Sequence, residues 1–182
     1  EHPMLRGLYY RLYFGVAICN QYIKECSDID ATKTAEIRFL RALYYYYLLD
    51  MWGNVPFTTE VGSAGTQMQR ADLYAWLEKE LKEIEPNLSA PQAKTSADAG
   101  YGRADKAAAW MLLARLYLNA EVYTGNAHWD LASQYAKKVM TESGRSLNTT
   151  GQNGWTAYQM LFMGDNGESS AAKEAILPVL QD

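Results

Sequence analysis

The sequence predicts an all-α fold of antiparallel helix pairs followed by a loop-rich C-terminal segment, and three observations predict it. Apolar residues recur at three- and four-residue steps through five segments, and Gly, Pro and Asn punctuate the segment ends. The chain also superposes on itself at an offset of 72 residues, which sets Ala35 on Ala107, Leu40 on Leu112, Ala42 on Ala114, Tyr45 on Tyr117 and Gly53-Asn54 on Gly125-Asn126. That offset is close to twice the roughly 34-residue tetratricopeptide (TPR) period, so the pairs are read as a TPR-like right-handed superhelical scaffold. Small residues at the matched alanines let neighbouring helices approach closely.

The first helix opens at Pro3, where a missing N–H costs nothing, and carries Leu5, Leu8, Tyr9, Leu12, Tyr13, Val16 and Ile23 over about 20 residues. Ser27, Asp28 and Asp30 interrupt it, and Thr32 or Thr34 is read as the cap of a second helix with Ala35, Phe39, Leu40, Ala42, Leu43, Tyr46 and Tyr47. Gly53-Asn54-Val55-Pro56 stops that helix, and residues 58–69 read as a loop. A third helix carries Leu73, Trp76, Leu77, Leu81 and Ile84 and halts at Pro86. After a polar loop from Ser89 to Gly102, a fourth runs from Arg103 to about Val122 and a fifth from Trp129 to Met140. Beyond Gly144 the pattern weakens: Trp155 to Phe162 reads as a short helix or turn, and residues 175–180 as a short extended piece.

A chain of 182 residues can bury about 70% of its unfolded surface, enough for one cooperative unit. Its 17 Lys and Arg against 21 Asp and Glu, interspersed, make no basic field, which disfavours binding to nucleic acid. The longest weakly charged apolar stretch, Ala107 to Ala120, is interrupted by Arg115 and is too short to span a bilayer. The start lacks a charged and then apolar leader, so any export signal or lipid anchor is expected outside this chain. Cys19 and Cys26 lie seven residues apart in one helix, beyond disulfide reach, and read as two reduced, packed thiols.

Catalytic chemistry finds little footing. His2 and His128 stand at no metal-ligand spacing, and His128 reads as a solvent-edge residue at a helix entry. Glu78, Glu80, Glu83 and Glu85, with Lys79 and Lys82 among them, read as a solvated helix face. Gly100-Tyr101-Gly102 reads as a plain loop. No catalytic residue, metal or cofactor is expected. The 14 Tyr, 5 Trp and 4 Phe are another matter, because a flat ring suits the C–H face of a sugar. Trp76, Trp110 and Tyr44 to Tyr47 lie inside helices, and the tyrosine run turns too far to share one face, so two are read as core and two as contacts between helices or with a partner. Tyr123, Trp129, Trp155 and Tyr158 sit in or beside loops and are the better exposed candidates, although no ligand-binding residue is assigned.

Four ordered blocks carry a resemblance. They are Ala35-Glu36-Ile37-Arg38-Phe39-Leu40-Arg41-Ala42-Leu43-Tyr44-Tyr45 through Gly53-Asn54-Val55-Pro56-Phe57; Ala71-Asp72-Leu73-Tyr74 to Leu81-Lys82-Glu83-Ile84; Gly102-Arg103-Ala104-Asp105-Lys106-Ala107-Ala108 to Leu116-Tyr117-Leu118; and Leu161-Phe162 with Asp165-Asn166 and Glu174-Ala175-Ile176-Leu177. Together they resemble the SusD/RagB family of outer-membrane nutrient-binding lipoproteins, its starch-utilisation branch in particular. Bottom-up, the same residues specify scaffold: Arg38 and Arg41 flank the apolar stripe with heads free to reach water or carboxylates, Gly53 ends a helix, and Asp105 sits near a helix start.

The resemblance implies a surface-exposed outer-membrane lipoprotein, a non-catalytic glycan or polysaccharide binder that covers a SusC-like TonB-dependent transporter. Members of the family run to roughly 500 residues, so residues 1–182 are expected to be one SusD-like helical region of a larger domain, with glycan-contacting aromatics mainly before and after it. It also raises calcium at Asp165-Asn166-Gly167-Glu168, but Gly167 has no side chain to offer and a full shell takes six to eight oxygens, so no metal is expected there. The alternative is a TPR adaptor holding a peptide in a concave groove, which the Ala- and aromatic-rich inner helices disfavour.

Overall fold

The computed structural model describes residues 2–180. Pro3 opens α1 (Pro3–Cys26), and four residues later the chain reverses into α2 (Ala31–Trp52), which packs back on α1. The cap of α2 is Asp30, not Thr32 or Thr34: its carboxylate accepts the N–H groups of Thr32 and Lys33 at 2.9 and 3.0 Å. An extended Asp reaches two unpaired amides at once and sets its negative charge at the positive end of the helix. Thr34 lies inside the first turn and donates its hydroxyl to Ser27 O instead.

Gly53 ends α2 with φ 74°, its N–H on Leu49 O. The next three residues form β1 (Val55–Phe57), paired antiparallel with β2 (Thr66–Met68), so the segment read as a loop ends in a strand. Three-residue strands show too little alternation to stand out in a sequence, and Pro56 is tolerated because a two-stranded ribbon has only edges. Gly65 makes the return possible: its φ is +74°, and a Cβ there would stand 2.5 Å from Phe57 O.

α3 (Arg70–Ile84) packs on α2 and gives way to a 3₁₀ turn, Glu85–Asn87, containing Pro86. The fourth helix is shorter than the periodicity suggests. α4 (Lys106–Leu118) starts after Asp105, whose Oδ1 accepts the N–H groups of Ala107 and Ala108. At Asn119 the helix breaks, and α5 (Ala120–Thr124) turns against α3 before Gly125 stops it at φ 83°. α6 (Trp129–Glu142) lies along α4. A single turn, α7 (Ala157–Met160), is fixed by a capping box between Thr156 and Gln159, and a second 3₁₀ turn covers Ser170–Glu174. Among the described residues, 175–180 pair with no strand; the Arg145 guanidinium holds Ala175 O and Ile176 O at 3.0 and 3.3 Å.

The core runs through the α1–α2, α2–α3 and α3–α4 contacts and holds Phe39, Tyr45, Tyr46, Leu49, Leu77, Leu81, Leu113 and Tyr117. Most residues matched by the internal repeat share their burial: Ala35 and Ala107, Ala42 and Ala114, and Tyr45 and Tyr117 are all buried, whereas Leu40 is half-buried and Leu112 buried. Of the tyrosine run, Tyr45 and Tyr46 are core, Tyr47 is exposed, and Tyr44 lies across Gly15 of α1. Cys19 is buried and Cys26 half-buried, both unpaired in α1. Burial pushes the Cys19 thiol up to about 11. The first two turns of α1 lie off the core, so Leu5 and Leu8 are exposed where the apolar stripe predicts burial. No helix among the described residues is long and apolar enough to cross a membrane.

Candidate functional site

Of the carboxylates read from the sequence as a solvated face, Glu78 and Glu80 on α3 and Glu85 in the turn after it are drawn into the structure. Glu80 is buried and accepts Arg38 Nε and Nη2 at 2.9 and 2.6 Å and Arg41 Nη2 at 2.9 Å. Burial alone would raise its pKa, yet the two guanidinium groups hold it below the usual carboxylate range. Glu78 accepts the Tyr117 hydroxyl and Lys82 Nζ, and Glu85 accepts Trp110 Nε1 and Lys138 Nζ. Only Glu83 keeps much of its surface in water, beside Arg38 and Lys79. A helix wheel shows only the Glu78–Lys82 pair, because the other partners sit on α2, α4 and α6.

These groups hold helices together. Arg41 also donates to Asn20 Oδ1, and Asn20 donates to Thr58 O, so one chain of bonds ties α1, α2, α3 and the residue after β1. His128 is half-buried at the start of α6, its ring stacked on Tyr117 at 6.0 Å between centroids. The Gly100-Tyr101-Gly102 loop closes on itself through Arg103 N–H to Gly100 O. In the Asp165 to Glu168 loop, Asn166 Nδ2 donates to Leu161 O and Gly167 O accepts Ser96 N–H, so two polar groups there are already engaged.

The loop aromatics divide. Trp129, Trp155 and Tyr158 face solvent, at 61%, 46% and 71% exposure. Tyr123 does not: the break at Asn119 folds α5 inward, the ring is buried, and the hydroxyl donates to Asp50 Oδ1 at 2.6 Å. Burial first, then that carboxylate, pushes its phenol well above the usual range. Sequence reasoning missed Phe162, 71% exposed and 5.1 Å from the Tyr158 ring at 64°, although a four-residue aromatic spacing after a capping box was a usable signal. It also missed Tyr10, Phe14 and Ile18, which form an exposed stripe at four-residue steps on α1.

Two clefts adjoin this framework. One, about 470 Å³, lies at the end of α2 and is lined by Trp52, Asn54, Gln69, Arg70 and Tyr123. The other, about 500 Å³, lies between α1 and the 58–65 loop, with Tyr13, Asn20, Gln21 and Glu60 on its walls.

Helix pairs on one core, tied across helices by acidic side chains and with Trp129, Trp155, Tyr158 and Phe162 left outside, define a helical scaffold. The profile of SusD-like proteins, described as starch-binding and associating with the outer membrane, matches residues 6–118, and the chain belongs to that family. It is 39% identical over 181 residues to starch-binding protein SusD of Bacteroides thetaiotaomicron, covering 96% of this chain and 30% of that protein. Surface glycan-binding protein A of Bacteroides uniformis superposes with a TM-score of 0.71 at 26% identity, covering 94% of this chain and 37% of that one. A structure determined with a xylogluco-oligosaccharide superposes at 0.74 and 26% identity, covering 95% and 35%. The chain thus spans about a third of the length of the relatives it matches.

Proposed function

We propose that the chain is the helical part of a non-catalytic glycan-binding protein of the outer membrane, and that residues 1–182 belong to one larger domain. The observation that carries this is the 39% identity to a starch-binding protein across nearly the whole chain. The exposed aromatics support it: Trp155, Tyr158 and Phe162 offer rigid rings to a sugar at little entropic cost. The engaged α3 carboxylates support a binder over a glycosidase, which needs two carboxyl groups facing each other across a cleft at about 5–9 Å.

In this reading the full protein is anchored by lipid at the cell surface and hands oligosaccharide to a SusC-like TonB-dependent transporter, with part of the scaffold as its docking surface. Isothermal titration of the full natural chain against starch, xyloglucan and laminarin oligosaccharides tests the binding. Heat with at least one is expected; silence with all three sinks the proposal. Recovery of a TonB-dependent transporter with the tagged chain from solubilised outer membranes tests the partner.

A further inference from the structure

We infer that the cleft at the end of α2 is a sugar subsite, in which one ring of an oligosaccharide lies against Trp52 while Arg70, Asn54 and Gln69 take its hydroxyls. This rests on the glycan-binding reading above and adds a place to it.

Volume and composition fit first. The cleft is an open groove of about 470 Å³, wide enough for one sugar ring, and its lining joins the half-buried Trp52 and the buried Tyr123 to a guanidinium and two amides. A pyranose has that double character, with apolar C–H faces and a rim of hydroxyls that both donate and accept.

The polar groups are also unspent. Arg38, Arg41, Arg103 and Arg145 each close on a carboxylate, whereas the Arg70 guanidinium has no hydrogen bond or ion pair among the described residues. Asn54 uses its Oδ1 to accept the Arg70 backbone N–H at 2.8 Å, which fixes the amide in place and leaves Nδ2 available. Gln69 precedes α3 without capping it, so its amide is free as well.

The walls are preformed. Tyr9 holds the Trp52 ring edge-to-face at 5.3 Å, Asp50 anchors the Tyr123 hydroxyl, and the positive φ of Gly53 turns the chain so that the Arg70 stem passes beside it. A site already ordered loses less entropy when it binds.

The test is isothermal titration of the full natural chain with maltoheptaose, a xylogluco-oligosaccharide and a laminari-oligosaccharide, comparing wild type with Arg70→Gln and Trp52→Ala. Arg70 is exposed, so Arg70→Gln keeps the fold and carries the test even where Trp52→Ala disturbs Tyr9. The Kd of the probe that binds is expected to rise about tenfold in Arg70→Gln, and by a similar factor in Trp52→Ala. Wild-type binding with Arg70→Gln within twofold of it overturns the subsite and leaves the glycan-binding reading standing. A wild type silent toward all three probes overturns both.

Discussion

Arg41 Nη2 donates to Glu80 Oε1 over 2.9 Å, and both side chains are more than nine-tenths buried. Two opposite charges share a dry place between α2 and α3: Arg38 Nη2 donates to Glu80 Oε2, Asn20 Oδ1 accepts from Arg41 Nη1, Arg41 Nε is buried without a partner among the described residues, and the Trp76 ring lies 5.6 Å from the guanidinium. Removing one partner leaves a buried charge uncompensated, which costs about 3–5 kcal/mol. Glu80→Ala, which leaves the buried Arg41 without a carboxylate among the described residues, is expected to lower stability by that amount in urea denaturation, while the exposed ion-pair variant Lys79→Ala changes it by less than about 0.5 kcal/mol.

The same network sets the response to acid. Glu78, Glu80 and Glu85 all titrate below their ordinary value of 4.5, because burial, which would raise them, is outweighed by the hydrogen bonds they accept. A depressed carboxylate stabilises the fold in full above its unfolded pKa, and that stability is lost as pH falls through the folded value. Urea midpoints are therefore expected to hold steady from pH 7 to about 5 and to fall below about 4.5. Glu80→Gln should start lower at neutral pH and show a flatter decline.

The hairpin hangs on two small features. Tyr45 is fully buried, yet its hydroxyl donates to Thr58 O at 2.8 Å and accepts Thr58 N–H at 3.0 Å, pinning the exit of β1 to α2. Tyr45→Phe leaves both Thr58 groups without that partner and should cost about 1–3 kcal/mol. Gly65→Ala meets both a positive φ and the Phe57 carbonyl. It is expected to unpair β1 from β2, seen as faster amide exchange at residues 55–57 with the helices still protected.

Tyr158 and Phe162 bury little, so Tyr158→Ala and Phe162→Ala should leave the melting temperature unchanged within about 2 °C. If these rings meet glycan in the full natural chain, each substitution weakens affinity about fivefold. Unchanged affinity in both would move the stacking surface elsewhere on the protein.

Some of this was legible in the residues and some was not, along a physical line. The tyrosine run divided as its helical rotation requires, and the matched alanines proved buried because a repeated helix pair repeats its packing. Asp30 was overlooked for a nearby threonine, since the choice among capping residues depends on local backbone angles more than on spacing. Tyr123 was misplaced because the break at Asn119 shows no Gly or Pro.

By itself the sequence determined the helices, most of their ends and the family, since helical hydrogen bonds, stops such as Gly53 and Pro86, and motif blocks all act within a few residues of chain. Only the tertiary structure decided which polar groups are spent and which are free. Glu80 meets Arg41 across 39 residues of sequence and Tyr123 meets Asp50 across 73, while among the described residues the Arg70 guanidinium meets no hydrogen-bond or ion-pair partner. A charge is buried or exposed according to the partner that packing brings to it, and no local pattern records that partner.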